Sequence, residues 1–425
     1  MALNIVLICG SYYPNFSATG NCIRQIAGCF VSRGMNVYVI SQSPDGKESV
    51  DEFEGQKILR VTDKRIRSFV KVRAINQRNP IGKMRVLAIK SYWAIRKLIA
   101  RSGMDEELSK AFVAKLEQMH DSGIRIDAVL PSLLPVEAVK ASDIFCRKHN
   151  IAFFPLLYDR YSENRDYFRF TWAQKLKQKH AERFEKQVFD DSRKVFYIDN
   201  WGPYFQRNKR DNAIRVEHPL VVKRPEVTPE PLNAPTKINA IYQGEINHQM
   251  RPPQAMLTVF EKIAETDPDV SLHVFASGNG VADVQRAAED HPSAIKFYGR
   301  VNKGLADQYY ASADINIILA NRDKEIVSSK IFESVSSGYP IVYFYFSEEE
   351  QSYKLLSKYP LVLFIRQDQL DDAACGRIRQ WMYDNCGKRV DFQLVHDAYD
   401  DATPDMVVDV TIDALSENSG ENGRQ

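Results

Sequence analysis

The sequence has no long apolar run, no cysteine framework and no glycine-rich dinucleotide fingerprint. No stretch of its 425 residues approaches the roughly 20 apolar residues that a membrane-spanning helix needs. The opening run Asn4–Cys9 is too short for the hydrophobic segment of a signal peptide and ends in a loop. The six cysteines include no CxxC pair and no regular spacing, which excludes a disulfide-built scaffold and points to a reducing cytoplasm. Cys22 and Cys29, seven apart on one expected helix, read as small buried apolar residues. The absence of GxGxxG after the first strand disfavours a Rossmann dehydrogenase.

What is present is ordinary for a globular chain: 44% apolar and 26% charged residues, with length enough for two cored domains. The net charge of +2 is unevenly spread. From Lys64 to Met104 there is no Asp or Glu, only Lys and Arg interleaved with apolar residues. From Met84 on, the pattern reads as an amphipathic basic helix with Trp93 at an interface. Such a helix suits an anionic membrane surface. Nucleic acid is the other polyanion to weigh, but no second feature of a nucleic-acid module accompanies it. The bland alternative is a solvated basic face over a core-packing stripe.

Taken in order, the chain alternates strand and helix. Asn4–Cys9 is a buried strand, Ile23, Ile26, Ala27, Phe30 and Val31 recur at helical spacing, and Val37–Ile40 is the next strand. A strand–helix–strand start predicts a parallel sheet. Further strands are expected at Ile126–Leu130, Ile151–Leu157 and Lys194–Ile198, with helices at Pro135–Lys148 and Lys175–Phe189. Asp159 follows a strand, where ligands of open α/β sheets gather, though a structural Asp is as good a reading. Residues 217–237 carry five prolines and no helical period, which marks a linker. The second half repeats the α/β logic from Ile238. Asp267-Pro268-Asp269 reads as a turn rather than a metal pair.

One stretch concentrates chemistry, Asn321–Phe346. Ser328 or Ser329 can cap a helix beginning near Lys330, Gly338 and Pro340 end it, and Ile341–Phe346 is a buried strand. A helix N-terminus beside Lys330 is a seat for phosphate. Glu325 in the loop and Glu333 in the helix flank that seat and could accept hydrogen bonds from sugar hydroxyls, as a nucleotide sugar requires.

Glu325 to Glu333 resembles the spaced-glutamate motif, E-x7-E, of family 4 retaining glycosyltransferases, and Ser329-Lys330-Ile331-Phe332-Glu333 is similar to the variant in bacterial surface-polysaccharide transferases. Ser337-Gly338-Tyr339-Pro340-Ile341-Val342 looks like the family's small-Gly-x-Pro-Val-Val element. The resemblance implies an α/β chain of GT-B fold, with two Rossmann-like domains facing a central cleft. On that basis residues 1–216 are the acceptor domain, 217–237 the linker and 238–395 the nucleotide-sugar domain. Residues 396–415 form a helix returning to the first domain, and the polar 416–425 tail is disordered.

The resemblance also distributes roles. Glu325 would hold sugar hydroxyls and Glu333 the ribose, while Arg251, Lys330, Gly244, Ser328 and Ser329 would seat the diphosphate. Asp159 would face the acceptor, and Gly20 would let a backbone approach donor or acceptor, unless it only serves a tight turn. Two positions depart from the family: Tyr158 stands where a His is common, and Glu245 where an Arg is common. The expected activity is transfer of a sugar with retention to a glycan or a polyprenyl-diphosphate-linked acceptor, without metal or other cofactor. The expected location is cytoplasmic and peripheral on the membrane. Two other readings remain, a non-catalytic GT-B partner subunit and a sugar-nucleotide epimerase.

Overall fold

The structure, a computed structural model, describes residues 2–75, 80–100, 104–158, 160–162 and 171–421. The chain divides into two units: Met1–Leu220 with Asp401–Gln425, and Val221–Asp400. The division falls four residues after the start expected for the linker, and the second unit continues five residues past 395.

The first unit contains β1 (Asn4–Cys9), α1 (Ala18–Ser32), β2 (Asn36–Gln42), β3 (Val50–Phe53), β4 (Gln56–Val61), α2 (Lys64–Ala74), α3 (Pro80–Ile99) and α4 (Glu106–Asp121). After these come β5 (Ala128–Pro131), α5 (Val136–His149), β6 (Ala152–Phe153), β7 (Leu156–Leu157), α6 (Thr171–Asp191), β8 (Val195–Tyr197), α7 (Gly202–Arg207) and β9 (Ala213–Arg215). Its main sheet has the order β3-β4-β2-β1-β5-β6, parallel except for β3. β1 is apolar at nearly every position because helices cover both faces of a parallel sheet. α1 starts where the Ser17 hydroxyl accepts from the Gly20 N–H at 3.0 Å. It buries Cys22, Ile23, Ile26, Ala27 and Phe30.

Two expectations fail here. The single strand expected over Ile151–Leu157 is broken in two. Pro155 has no N–H to donate to a ladder, so β6 pairs with β5 while β7 joins a separate parallel sheet, β7-β8-β9. Trp93 does not sit at an interface: it is buried, together with Val86, against the unit's own body.

The second unit contains β10 (Ile238–Glu245), α8 (Gln254–Thr266), β11 (Val270–Ser277), α9 (Val281–Asp290), β12 (Ile295–Phe297), α10 (Lys303–Ala311) and β13 (Ile315–Leu319). It continues with α11 (Ser329–Ser336), β14 (Ile341–Tyr345), α12 (Gln351–Leu356), β15 (Val362–Arg366), α13 (Asp372–Asn385) and α14 (Phe392–Ala398). All six strands are parallel in the order β12-β11-β10-β13-β14-β15. Numbered within the unit this is 3-2-1-4-5-6, the doubly wound order, in which the direction of winding reverses between the first and fourth strands. β13 and β14 are buried at every position. Gly338 ends α11 at φ +74°, and a Cβ there would also collide with the Val390 backbone.

The last helix, α15 (Pro404–Glu421), belongs to the first unit. Asp405 and Asp409 of α15 take Arg33 from the end of α1, the former at 2.7 Å. Arg193 donates to the Ala414 carbonyl at 2.9 Å. The disordered tail expected from Ser416 is a further difference. The helix runs on to Glu421, with the Ser416 hydroxyl bonded back to the Ile412 carbonyl at 2.9 Å.

Candidate functional site

In a doubly wound sheet the crevice lies beyond the carboxyl ends of the two strands flanking the reversal. In the second unit these are β10 and β13. After β10 the chain folds back on itself, Arg251 N–H to Asn247 carbonyl at 2.7 Å and the reverse bond at 3.1 Å. This returns the Arg251 guanidinium close to Gly244, where a Cβ would lie 3.7 Å from Arg251 Nη1, an ordinary contact, and 3.0 Å from Tyr242 Oη, a tight one. Arg251 Nη2 donates to Asn321 Oδ1 at 2.9 Å, two residues beyond the end of β13. Arg322 N–H to the Met250 carbonyl, 2.8 Å, ties the two loops again.

Beyond β13 the loop places Glu325 in solvent, in a turn held by its own N–H donating to Asp323 Oδ1 at 3.1 Å. Ser328 is the cap of α11, its hydroxyl accepting from the Lys330 N–H at 3.4 Å, and Ser329 is the first helical residue. Lys330 and Glu333 are one turn apart, and their side chains meet at 2.9 Å.

Glu333 has more partners than sequence reasoning supplied. Lys303 reaches the same carboxylate oxygen at 3.2 Å, and Arg224 reaches it at 3.4 Å. Both cations also contact Asp307, at 3.2 and 3.3 Å. Burial pushes the Glu333 carboxyl up, but Lys330, Lys303 and Arg224 together outweigh it and hold the group down at about 2. Arg224, Arg251, Lys330 and Glu333 line one cavity of about 20 Å³ with Tyr310 and Asn316. Three cations around Glu333 and Asp307, with Arg251 on the same cavity, leave the place electropositive, which suits a polyvalent anion. Lys303 follows a helix cap, and Arg224 lies in the proline-rich stretch. Neither position carries a local pattern that would have singled it out.

The other expected residues belong to the first unit. Asp159 lies outside the described residues. Tyr158 is buried with its ring stacked on His218, centroids 5.5 Å apart, and burial drives its hydroxyl well above the ordinary range. The backbone that approaches Gly20 is that of the chain itself: a Cβ would overlap the Ser11 carbonyl oxygen. His248 is occupied by Asp283 at 2.9 Å. Asp267 accepts from Asp269 N–H at 3.0 Å, closing the turn before β11. Among the described residues, no cluster of three His, Cys, Asp or Glu is arranged to hold a metal.

A second cavity, about 740 Å³, opens in the first unit beyond the ends of β1, β2, β4 and β5. Ser11, Asn15, Ser43 and Asp63 are among its polar lining, Phe69, Val70 and Leu134 among its apolar lining. Asp63 is buried. Its Oδ1 caps α2 by accepting from the Ile66 N–H at 2.6 Å, while Oδ2 has no hydrogen-bond partner among the described residues. Burial pushes this carboxyl up.

No family model and no curated protein matches the sequence. Solved structures do. The catalytic domain of starch synthase IV from Arabidopsis thaliana, bound to ADP and acarbose, is similar over 98% of this chain and 100% of its own, with 8% identity and a TM-score of 0.56. The α,α-trehalose-6-phosphate synthase from Burkholderia multivorans is similar over 100% and 98%, with 10% identity and a TM-score of 0.55. A protein assigned as UDP-N-acetylglucosamine 2-epimerase from Listeria monocytogenes is similar over 99% and 98%, with 9% identity and a TM-score of 0.54. The chain has the GT-B fold.

Proposed function

We propose that the chain is a glycosyltransferase that moves a sugar from a nucleoside-diphosphate sugar to a hydroxyl, with retention, in polysaccharide synthesis. The observation that carries this reading is the group Arg224, Lys303 and Lys330 around Glu333, with Arg251 lining the same cavity, at the winding reversal of the second sheet. A diphosphate entering there takes the cations as partners, and Glu333 is left to accept from the ribose hydroxyls. Glu325 accepts from hydroxyls of the transferred sugar. The bond from the anomeric carbon to the β-phosphate oxygen breaks, the acceptor oxygen bonds to that carbon, and the departing phosphate oxygen takes the acceptor proton. The cations and the N-terminus of α11 stabilise the charge that develops on the leaving group, so no metal is needed. The acceptor is a glycan or a lipid-diphosphate-linked sugar. Asp63 Oδ2, unpartnered in the first unit's cavity, is a candidate to bind one of its hydroxyls.

The epimerase likeness keeps a second reading open. An epimerase needs paired acid and base groups on the sugar, and the charged residues lining the cavity of the second unit are the cations Arg224, Arg251 and Lys330 with one carboxylate, Glu333. Release of nucleoside diphosphate, measured with and without a hydroxyl acceptor, separates the readings. Acceptor-dependent release supports transfer. Isomerised donor without net release sinks it in favour of epimerisation, and no turnover of any donor favours a non-catalytic partner subunit.

A further inference from the structure

The outer face of α3 carries an apolar stripe that is exposed among the described residues. Ile81, Met84, Leu87, Tyr92 and Ile95 are 54–70% exposed, and they are five of the eleven exposed large apolar residues among the described residues. At 3.6 residues per turn these five fall within an arc of about 140°. Gly82, Val86 and Trp93 occupy the opposite side and are buried. The helix is therefore apolar on two faces, one used by the fold and one not. A patch of this kind marks an interaction site.

Charge identifies the partner. Arg85 and Arg96 border one edge of the stripe, Lys83 lies toward the other, and α2 and α3 contain no acid. Among the described residues, the acids that pair with them sit at the start of α4: Glu107, 3.6 Å from Arg96 and 3.9 Å from Lys64, and Asp105, 3.7 Å from Arg65. An apolar strip bordered by cations fits a bilayer surface with anionic headgroups: the strip enters the acyl boundary and the basic side chains stay at headgroup level. No helix among the described residues is long and apolar enough to cross a membrane, so the contact is lateral.

We infer that α3 docks the first unit on an anionic membrane surface through Ile81, Met84, Leu87, Tyr92 and Ile95. The side of α3 away from the stripe supplies Lys90 to the 740 Å³ cavity that contains Asp63. One helix therefore links the membrane face to the cavity, and a lipid-linked acceptor would reach the cavity from the surface on which its lipid is anchored. That last step rests on the sugar-transfer reading, whereas the docking itself does not.

The test is co-sedimentation of the full chain with vesicles of phosphatidylglycerol and phosphatidylcholine, compared with phosphatidylcholine alone. The expected result is binding only to the anionic vesicles, weakened by salt. The triple variant Met84→Gln, Leu87→Gln, Ile95→Gln should lower the partition coefficient at least tenfold, and Lys83→Gln with Arg85→Gln should lower it at low salt only. These side chains are exposed, so thermal midpoints should match the wild type. A wild type that stays in the supernatant at low salt overturns the inference, as does a triple variant that binds normally. So does a wild-type dimer in sedimentation velocity that the triple variant abolishes without any vesicle binding, since the stripe would then be a contact between copies. None of these readings uses sugar transfer, so a failure here leaves the donor site standing.

Discussion

Replacing Glu333 by Gln should strengthen the binding of one anion and weaken the binding of another. In the free protein its carboxylate occupies Lys330, Lys303 and Arg224 at 2.9, 3.2 and 3.4 Å. The amide removes that charge and leaves the cations for an incoming anion. At an effective dielectric of about 20, unit charges about 6 Å apart interact by roughly 2.8 kcal/mol. The Lys330 and Lys303 side chains are 38% and 57% exposed, and screening at such sites reduces the effect to about 1 kcal/mol, or about fivefold in affinity. Inorganic pyrophosphate should therefore bind Glu333→Gln about five times more tightly than the wild type.

A nucleoside diphosphate gains the same fivefold but loses the bond from its ribose hydroxyl to a carboxylate, worth about 1.5–3 kcal/mol. The net is a loss of between about twofold and thirtyfold. Isothermal titration calorimetry at neutral pH measures both ligands, with a thermal melt to show that the variant is folded. Held at about 2, Glu333 is ionised throughout that range, so protonation of the wild type does not blur the comparison. If pyrophosphate binds the folded variant no better than the wild type, the cations are not an anion seat. If both ligands tighten together, Glu333 does not touch the ribose.

Glu325→Ala should cost one to two decades of transfer rate, the equivalent of a charge-assisted hydrogen bond of about 1.5–3 kcal/mol, without changing the thermal midpoint, because the residue is exposed; unchanged kinetics there and in Lys330→Ala would remove both from the site. Activity should survive EDTA, and loss on chelation with recovery on adding Mg²⁺ would show that the donor diphosphate is held by metal. His273 is buried between Ser271 Oγ and Tyr298 Oη, each 2.9 Å away, and burial and then Lys296 lower it to about 4. Its neutral form stabilises the second unit above the ordinary value of 6.5, and that contribution falls as pH drops toward 4, by up to about 1.4 kcal/mol per pH unit. Denaturant melts of wild type and His273→Gln at pH 7 and 4.5 check this, and parallel losses in both proteins would put the acid sensitivity elsewhere.

The second unit was the more legible half because its decisive elements are local. Ser328, Gly338 and the Ile341–Phe346 run state a cap, a stop and a buried strand within twenty residues, and α11 and β14 fall there. The hairpin of β3 and β4 was legible and went unread. Glu54 and Gly55 both have positive φ, and such a pair between two short alternating runs is a hairpin turn. Arg224 was not legible at all. It lies in a segment with no period to read, and its partner Glu333 is 109 residues away. α3 shows the limit from the other side. Its apolar residues ring the helix, so spacing finds the helix without saying which face the fold takes. Trp93 was the natural choice for a membrane anchor, yet it is Val86 and Trp93 that fill the interior. The size that makes Trp93 a good anchor also makes it a good core residue. Only the packing of the rest of the unit decides between the two, and by turning Trp93 inward it leaves Met84, Leu87 and Ile95 as the residues on which membrane docking must be tested.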